Sequence, residues 1–169
     1  MFTLSSQGIE SGVIADRYGI KSQEAVQGVP QRSLPYEWTG VPEGTKSFAL
    51  VFQDYDNVPD EGFSWLHWLV ADLPDNRTAL PENASREDKT LIQGINSWSI
   101  PYGPYAAIDR DLTLHYGGPA PERKHEYETR LYALDSVLGM KPGFYYNELL
   151  RAMEGHILGE AVLKGYYEG

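Results

Sequence analysis

Three stretches of the chain carry apolar patterns short enough for strands. Phe48–Phe52 and Trp65–Ala71 are rich in aromatic and β-branched residues, and the intervening DYDNVPDEG is dense in turn formers and acids. On a period of two, Trp65, His67, Leu69 and Ala71 share one face of the second run, with Trp68 and Val70 on the other. The third run, HEYETRLYALD from His125, alternates clearly. His125, Tyr127, Thr129, Leu131 and Ala133 fall on one face, and Glu126, Glu128, Arg130, Tyr132 and Leu134 on the other. Tyr145–Met153 has helical spacing, with Tyr146, Leu149, Leu150 and Met153 as packing positions and Gly155 as the stop. Glu160–Tyr167 alternates like a final strand.

Between these elements the pattern is broken. Residues 1–35 are cut by glycines and prolines into a short strand and turns, and Pro42-Glu43-Gly44 fits a tight turn. Ser85-Arg86-Glu87-Asp88 reads as the capped start of one helical turn, and a short strand is expected within Thr90–Trp98. Ser99–His115 is polar and aromatic without sustained period, as in a long functional loop at the surface.

Length changes the picture little: 169 residues suit one domain, 1–169, with a proper core. Charge changes it more. Fourteen basic residues against 24 acids give −10, with no basic stripe to screen phosphates, so nucleic-acid binding is not expected. Cysteine is absent, which excludes disulfides, thiolate catalysis and Cys-ligated metal. No apolar run approaches membrane-spanning length, so no membrane insertion is expected. No signal peptide is visible at the N-terminus, and a cytoplasmic setting is expected.

The candidate chemistry lies on the strand faces. Asp54, at the end of the first run, can approach His67 if the strands pair, and His125 and Tyr127 stand on a face of core residues. Two imidazoles, a phenol and backbone N–H groups make an anion cradle. The same set suits acid–base chemistry. Two His and one carboxylate also form a known metal set, but no close His spacing supports one, and no cofactor motif is visible.

The order SLPYEWTGVPEGTKSFAL, DYD, HWLVADLP, INSW, YGGPAP, HEYETRLYALD and AMEGHILGEAVLKGYY resembles the phosphatidylethanolamine-binding protein family, in its bacterial and archaeal Raf-kinase-inhibitor-like branch. The resemblance runs from about Ser33 to Tyr167. It implies a mostly-β fold: a large central antiparallel sheet, a smaller flanking sheet and one or two short C-terminal helices. It also implies a pocket for phosphate or a phosphorylated head group. The family's ligand-binding positions map onto Asp54, Asp56, His67, Gly118, Pro119, Pro121, His125 and Tyr127. Pro119 and Pro121 are expected to wall the pocket. Departures from the family pattern are Asp54-Tyr55-Asp56-Asn57-Val58-Pro59 in place of Asp-Pro-Asp-Ala-Pro, a longer Ser99–His115, and Glu126 where the family has Arg. Tyr55 is thereby free to project over the pocket. The expected partner is an anionic small molecule. A homodimer, a hydrolase using the Asp/His set and a protein-interaction regulator of the kinase- or protease-inhibitor kind stay open as alternatives.

Overall fold

The computed structural model describes all 169 residues. Ten strands form two sheets. β1 (Thr3–Ser5), β4 (Tyr36–Thr39) and β7 (Ala79–Leu80) make a small antiparallel sheet. The large sheet runs β2 (Ile9–Glu10), β3 (Val13–Ile14), β10 (Ile157–Tyr167), β9 (His125–Leu134), β5 (Ser47–Asp54), β6 (Trp65–Pro74) and β8 (Ile92–Gln93) in spatial order. The three apolar runs lie side by side, β9-β5-β6, within the one central sheet that their alternation and the family resemblance together predict. Pairing is antiparallel throughout, except for one parallel contact of Tyr166 with Val13.

Strand β5 is buried at all eight positions because both of its faces are covered. On one side Phe48, Leu50 and Phe52 join Trp68, Val70, Leu131 and Ala133 in a core of 20 residues closed by Tyr36, Trp38 and Leu80 of the small sheet. On the other, Ala49, Val51, Leu69, Ala71, Tyr132 and Leu134 pack beneath α4 (Tyr146–Met153) through Leu149 and Met153. The helix is one residue shorter than its sequence pattern, since Tyr145 is its N-cap. Leu150 is an exception to the packing expectation: it is exposed.

Two bulges in β6 alter the reading of its faces. Phe52 and Gln53 are consecutive in β5 but pair with Trp68 and Leu66, so His67 is an extra residue without a partner. A bulge shifts the alternation by one. His67 therefore turns to the same side as Trp68 and Val70, while Leu66, Leu69 and Ala71 face α4. A strict period of two had separated His67 from Trp68, and the bulge corrects it. The second bulge sets Ala71 and Asp72 opposite Ala49. Asp72 has φ +54°, and its carboxylate accepts N–H bonds from Leu138 and Met140.

The connection after β5 contains α1 (Val58–Glu61), with Pro59 in its first turn and Gly62 closing it at φ +89°. The turn at Ser85 is α2 (Ala84–Glu87), with Asn83 rather than Ser85 preceding it. The long loop is partly ordered. It holds a 3-10 segment, Gly103–Ala107, and α3 (Arg110–Thr113), whose Leu112 and Thr113 are buried. Asn96 fastens this second half by donating to the carbonyls of Leu112 and His115.

Candidate functional site

At one end of the large sheet, the last residues of β5 and the first of β6 and β9 surround a cavity of about 60 Å³. A water molecule needs about 10–15 Å³ of such space, so the cavity holds a small group of a few heavy atoms. Asp54, His67, His125, Tyr127 and Pro121 line it, together with Asn57, Glu61, Trp65, Trp98, Tyr105 and Ala120.

The two imidazoles are held by different partners. His125 Nδ1 donates to Asp54 Oδ2 at 2.7 Å, and both side chains are almost fully buried. Asp54 thus pairs with His125 and not with His67 as the sequence suggested, because Asp54 sits opposite Tyr127 and beside the start of β9. Its other oxygen accepts the Asn57 N–H at 3.2 Å, which ties α1 to the strand end. His67 Nδ1 donates to the Gly117 carbonyl at 2.6 Å, and Gly117 N–H returns a bond to the His67 carbonyl at 2.9 Å. A carbonyl can only accept, so Nδ1 carries the proton and Nε2 of the neutral ring carries a lone pair.

Burial decides the charge of His67. It pushes the pKa down to about 4, and the Asp54 charge and the Gly117 and Gly118 carbonyls, which favour the cation, do not offset it. The ring is neutral at pH 7. The Tyr127 phenol is held far above its usual range, first by burial and then by the Asp54 charge, so it remains protonated. Tyr105, half-buried and donating to Glu61 Oε1 at 2.8 Å, is pushed up to about 12 by burial and by that carboxylate.

Four buried nitrogens on cavity-lining side chains have no hydrogen-bond partner: Nε2 of His67, Nε2 of His125, and the indole N–H groups of Trp65 and Trp98. Asp60 Oδ2 lies 3.1 Å from His125 Nε2, but off the line a hydrogen bond requires. An unsatisfied buried polar group costs about 1–3 kcal/mol. All four belong to side chains that line one cavity.

The remaining sequence candidates stand behind the wall. Asp56 turns away: its carboxylate accepts the Glu126 N–H at 2.8 Å and joins the loop to β9. Gly118 is buried and serves close packing, since a Cβ there would lie 2.2 Å from the Tyr18 carbonyl oxygen. Pro119 does not wall the cavity. It is buried, and its carbonyl accepts the Ile20 N–H, so Ala120 takes the lining position beside Pro121. Tyr55 does not cover the pocket either. Its hydroxyl accepts from Gln53, and its ring is exposed at the sheet's other face near Tyr132 and Tyr146. His115 and His156 bond to the Asp111 carbonyl and the Asp135 carboxylate, away from the cavity.

Sequence reasoning passed over Trp65, Trp98, Tyr105, Glu61 and Gly117. Trp65, Trp98 and Tyr105 pack on one another with ring centroids 5.2–6.0 Å apart and form one side of the cavity. Gly117 is wedged against them, since a Cβ on it would lie 2.4 Å from Trp98 Cδ1.

Comparison with known proteins assigns this architecture to a family. The family model described as phosphatidylethanolamine-binding protein matches residues 5–168. The chain belongs to the phosphatidylethanolamine-binding protein family. Within it, the chain is 40% identical over 153 residues to YxkA of Bacillus subtilis, covering 88% of this chain and 90% of that protein. It is 39% identical over 153 residues to a UPF0098 protein of Methanothermobacter thermautotrophicus, covering 90% and 92%. Among solved structures, the phosphatidylethanolamine-binding protein homologue CT736 of Chlamydia trachomatis superposes with a TM-score of 0.78 at 31% identity, over 99% of this chain and 97% of that one. The YBCL protein of E. coli, at 24% identity and a TM-score of 0.75 over 99% and 98%, shares the fold.

Proposed function

We propose that this chain, acting as one domain over 1–169, binds a small anionic molecule carrying a phosphoryl group, seated in the cavity between His67 and His125. The observation that carries this reading is that four side chains with unpartnered buried nitrogens line one small cavity. Indole N–H groups and the Tyr127 hydroxyl are donors, and a tetrahedral oxyanion supplies acceptor oxygens in several directions. The phosphoryl group takes the cavity, and the rest of the ligand extends outward past Glu61, Tyr105 and Pro121, which also line the neighbouring groove beside Glu122 and Arg123. The family's name, which refers to a phosphorylated head group, supports the same chemistry.

Calorimetric titration with phosphoethanolamine tests this in the wild type, His67→Ala and His125→Ala. Each substitution should weaken binding by tenfold or more, the range expected when a hydrogen bond to a charged group, worth about 1.5–3 kcal/mol, is lost. Equal affinity in all three proteins would contradict the assignment.

A further inference from the structure

The two flanks of the large sheet's long strands are finished differently. Beyond β6 the outward backbone groups are occupied. Gly94 and Gly117 donate to the Leu69 and His67 carbonyls, Ser97 Oγ accepts the Leu66 N–H, and β8 pairs at Val70 and Ala71. Beyond β10, β3 pairs at Tyr166 alone, whose N–H donates to the Gly12 carbonyl at 2.7 Å. Backbone groups alternate in direction along an antiparallel strand. Glu160, Val162 and Lys164 therefore turn their N–H and C=O to the same side as Tyr166, away from β9. The bulge at Leu158 bounds this open stretch at one end and the Gly12 turn at the other. An uncovered edge of this kind is a template for another strand.

We propose that two copies of the chain meet here, β10 against β10, antiparallel about a two-fold axis at Val162. The side chains carry the case. Glu160, Val162 and Lys164 lie on the exposed face of β10, while Ala161 and Leu163 turn to the core. About Val162 the order acid, apolar, base is self-complementary. A two-fold sets Glu160 of each copy opposite Lys164 of the other, and Val162 opposite itself. The backbone matches too, because the outward N–H and C=O groups of all three residues fall into hydrogen-bonded pairs.

Ion pairs within one copy extend the pattern. Arg130 Nη1 holds Glu160 at 3.0 Å, and Lys164 Nζ holds Glu126 at 2.7 Å, both from the outer face of β9. Across the junction the row runs Glu126, Lys164, then Glu160 and Arg130 of the second copy, alternating in sign throughout. Opposite charges facing each other across strands are favourable, and like charges are not. A parallel junction in register would set Glu160 against Glu160 and Lys164 against Lys164. An antiparallel one centred on either charged residue would oppose that residue to itself. The charges that shield the edge from unrelated strands thus admit one arrangement of two copies. The junction is short and each copy carries −10, so the dimer is reversible and concentration-dependent.

Sedimentation velocity of the wild type between about 10 µM and about 1 mM tests this, and the dimer fraction should rise across that range. Glu160→Lys and Lys164→Glu each place like charges across the two-fold, and each should stay monomeric. Mixed in equal amounts the two variants are complementary, and the mixture should dimerise as the wild type does. Val162→Pro keeps the test open should a charge reversal prevent folding. It deletes an N–H that points away from β9, a position where an edge strand tolerates proline, and it should also stay monomeric. Amide exchange at Val162 should slow with concentration in the wild type alone. A wild type monomeric over the whole range, a mixture of the two charge variants that fails to dimerise, or a dimer that persists in Val162→Pro would each overturn the proposal.

Discussion

His67 shows how one residue couples fold and charge. Its ring is neutral because it lies in an apolar wall against Phe52 and Tyr127, with centroids 5.3 and 5.2 Å away. The consequence for stability has a definite sign. In the unfolded chain a histidine titrates near 6.5, whereas in the fold His67 is pushed down to about 4. Between those values the unfolded state binds the extra proton, so acid favours unfolding. His67 therefore withdraws stability as pH falls from about 6.5 to 4, and has no such effect above 6.5. The difference of about 2.5 units corresponds to roughly 3 kcal/mol. Urea denaturation of the wild type and His67→Gln at pH 7 and pH 4.5 measures it. The wild type should lose more stability over that interval than the variant by about 2–3 kcal/mol. An identical loss in both would mean that another group carries the acid sensitivity.

At the scale of elements, the long loop has two parts with different duties. Gly103–Ala107 presents Tyr105 to Trp65 and Trp98, and its contact with α1 is the bond from Tyr105 to Glu61. Arg110–Thr113 is anchored by Asn96 and by burial of Leu112 and Thr113. Trimming the whole segment would remove core residues, whereas Tyr105→Ala removes only the cavity wall. In that variant the thermal midpoint should fall by no more than a few degrees, as for a loss of about 1 kcal/mol in a chain of this size. The affinity for phosphoethanolamine should change by severalfold. A collapse of stability with unchanged affinity would make the segment purely structural.

The same scale explains what could be read from sequence. Strands β5, β6 and β9 were legible because apolar alternation reports burial, and their sharing of one sheet follows from that alternation together with the family resemblance. The order of motifs also brought out Asp54, His67, His125 and Tyr127. The bulge at His67 was not legible, since a register slip depends on the partner strand and leaves no trace in local pattern. The register of β5 against β9 gives Asp54 His125 as its partner, while His67, turned by the slip, bonds to Gly117. Trp65, Trp98 and Tyr105 were missed as a wall because aromatic residues on strands and loops are most often plain core. Gly118 and Pro119, read as pocket positions, serve instead to bring the turn against Tyr18 and Ile20.

On the scale of the whole molecule, two apolar layers cover the faces of the large sheet and leave its polar chemistry at one end. Asp54, His67, His125 and Tyr127 come from three neighbouring strands, so the sheet itself fixes their spacing and no hinge is needed to assemble them. The charge of −10 works against any anion at long range, so the proposed ligand has to be held by short-range donors inside the cavity. The central proposal is that a phosphoryl group meets the two imidazole nitrogens that lack a hydrogen-bond partner. The chain has four histidines, and His115 and His156, both outside the cavity, serve as internal controls. Imidazole 15N NMR during titration with phosphoethanolamine at pH 6 reads each ring separately. The account predicts large, saturable shifts at Nε2 of His67 and His125, small ones at their Nδ1 atoms, and none at His115 or His156. Shifts confined to His115 or His156, or none at any ring despite measurable binding, would contradict it.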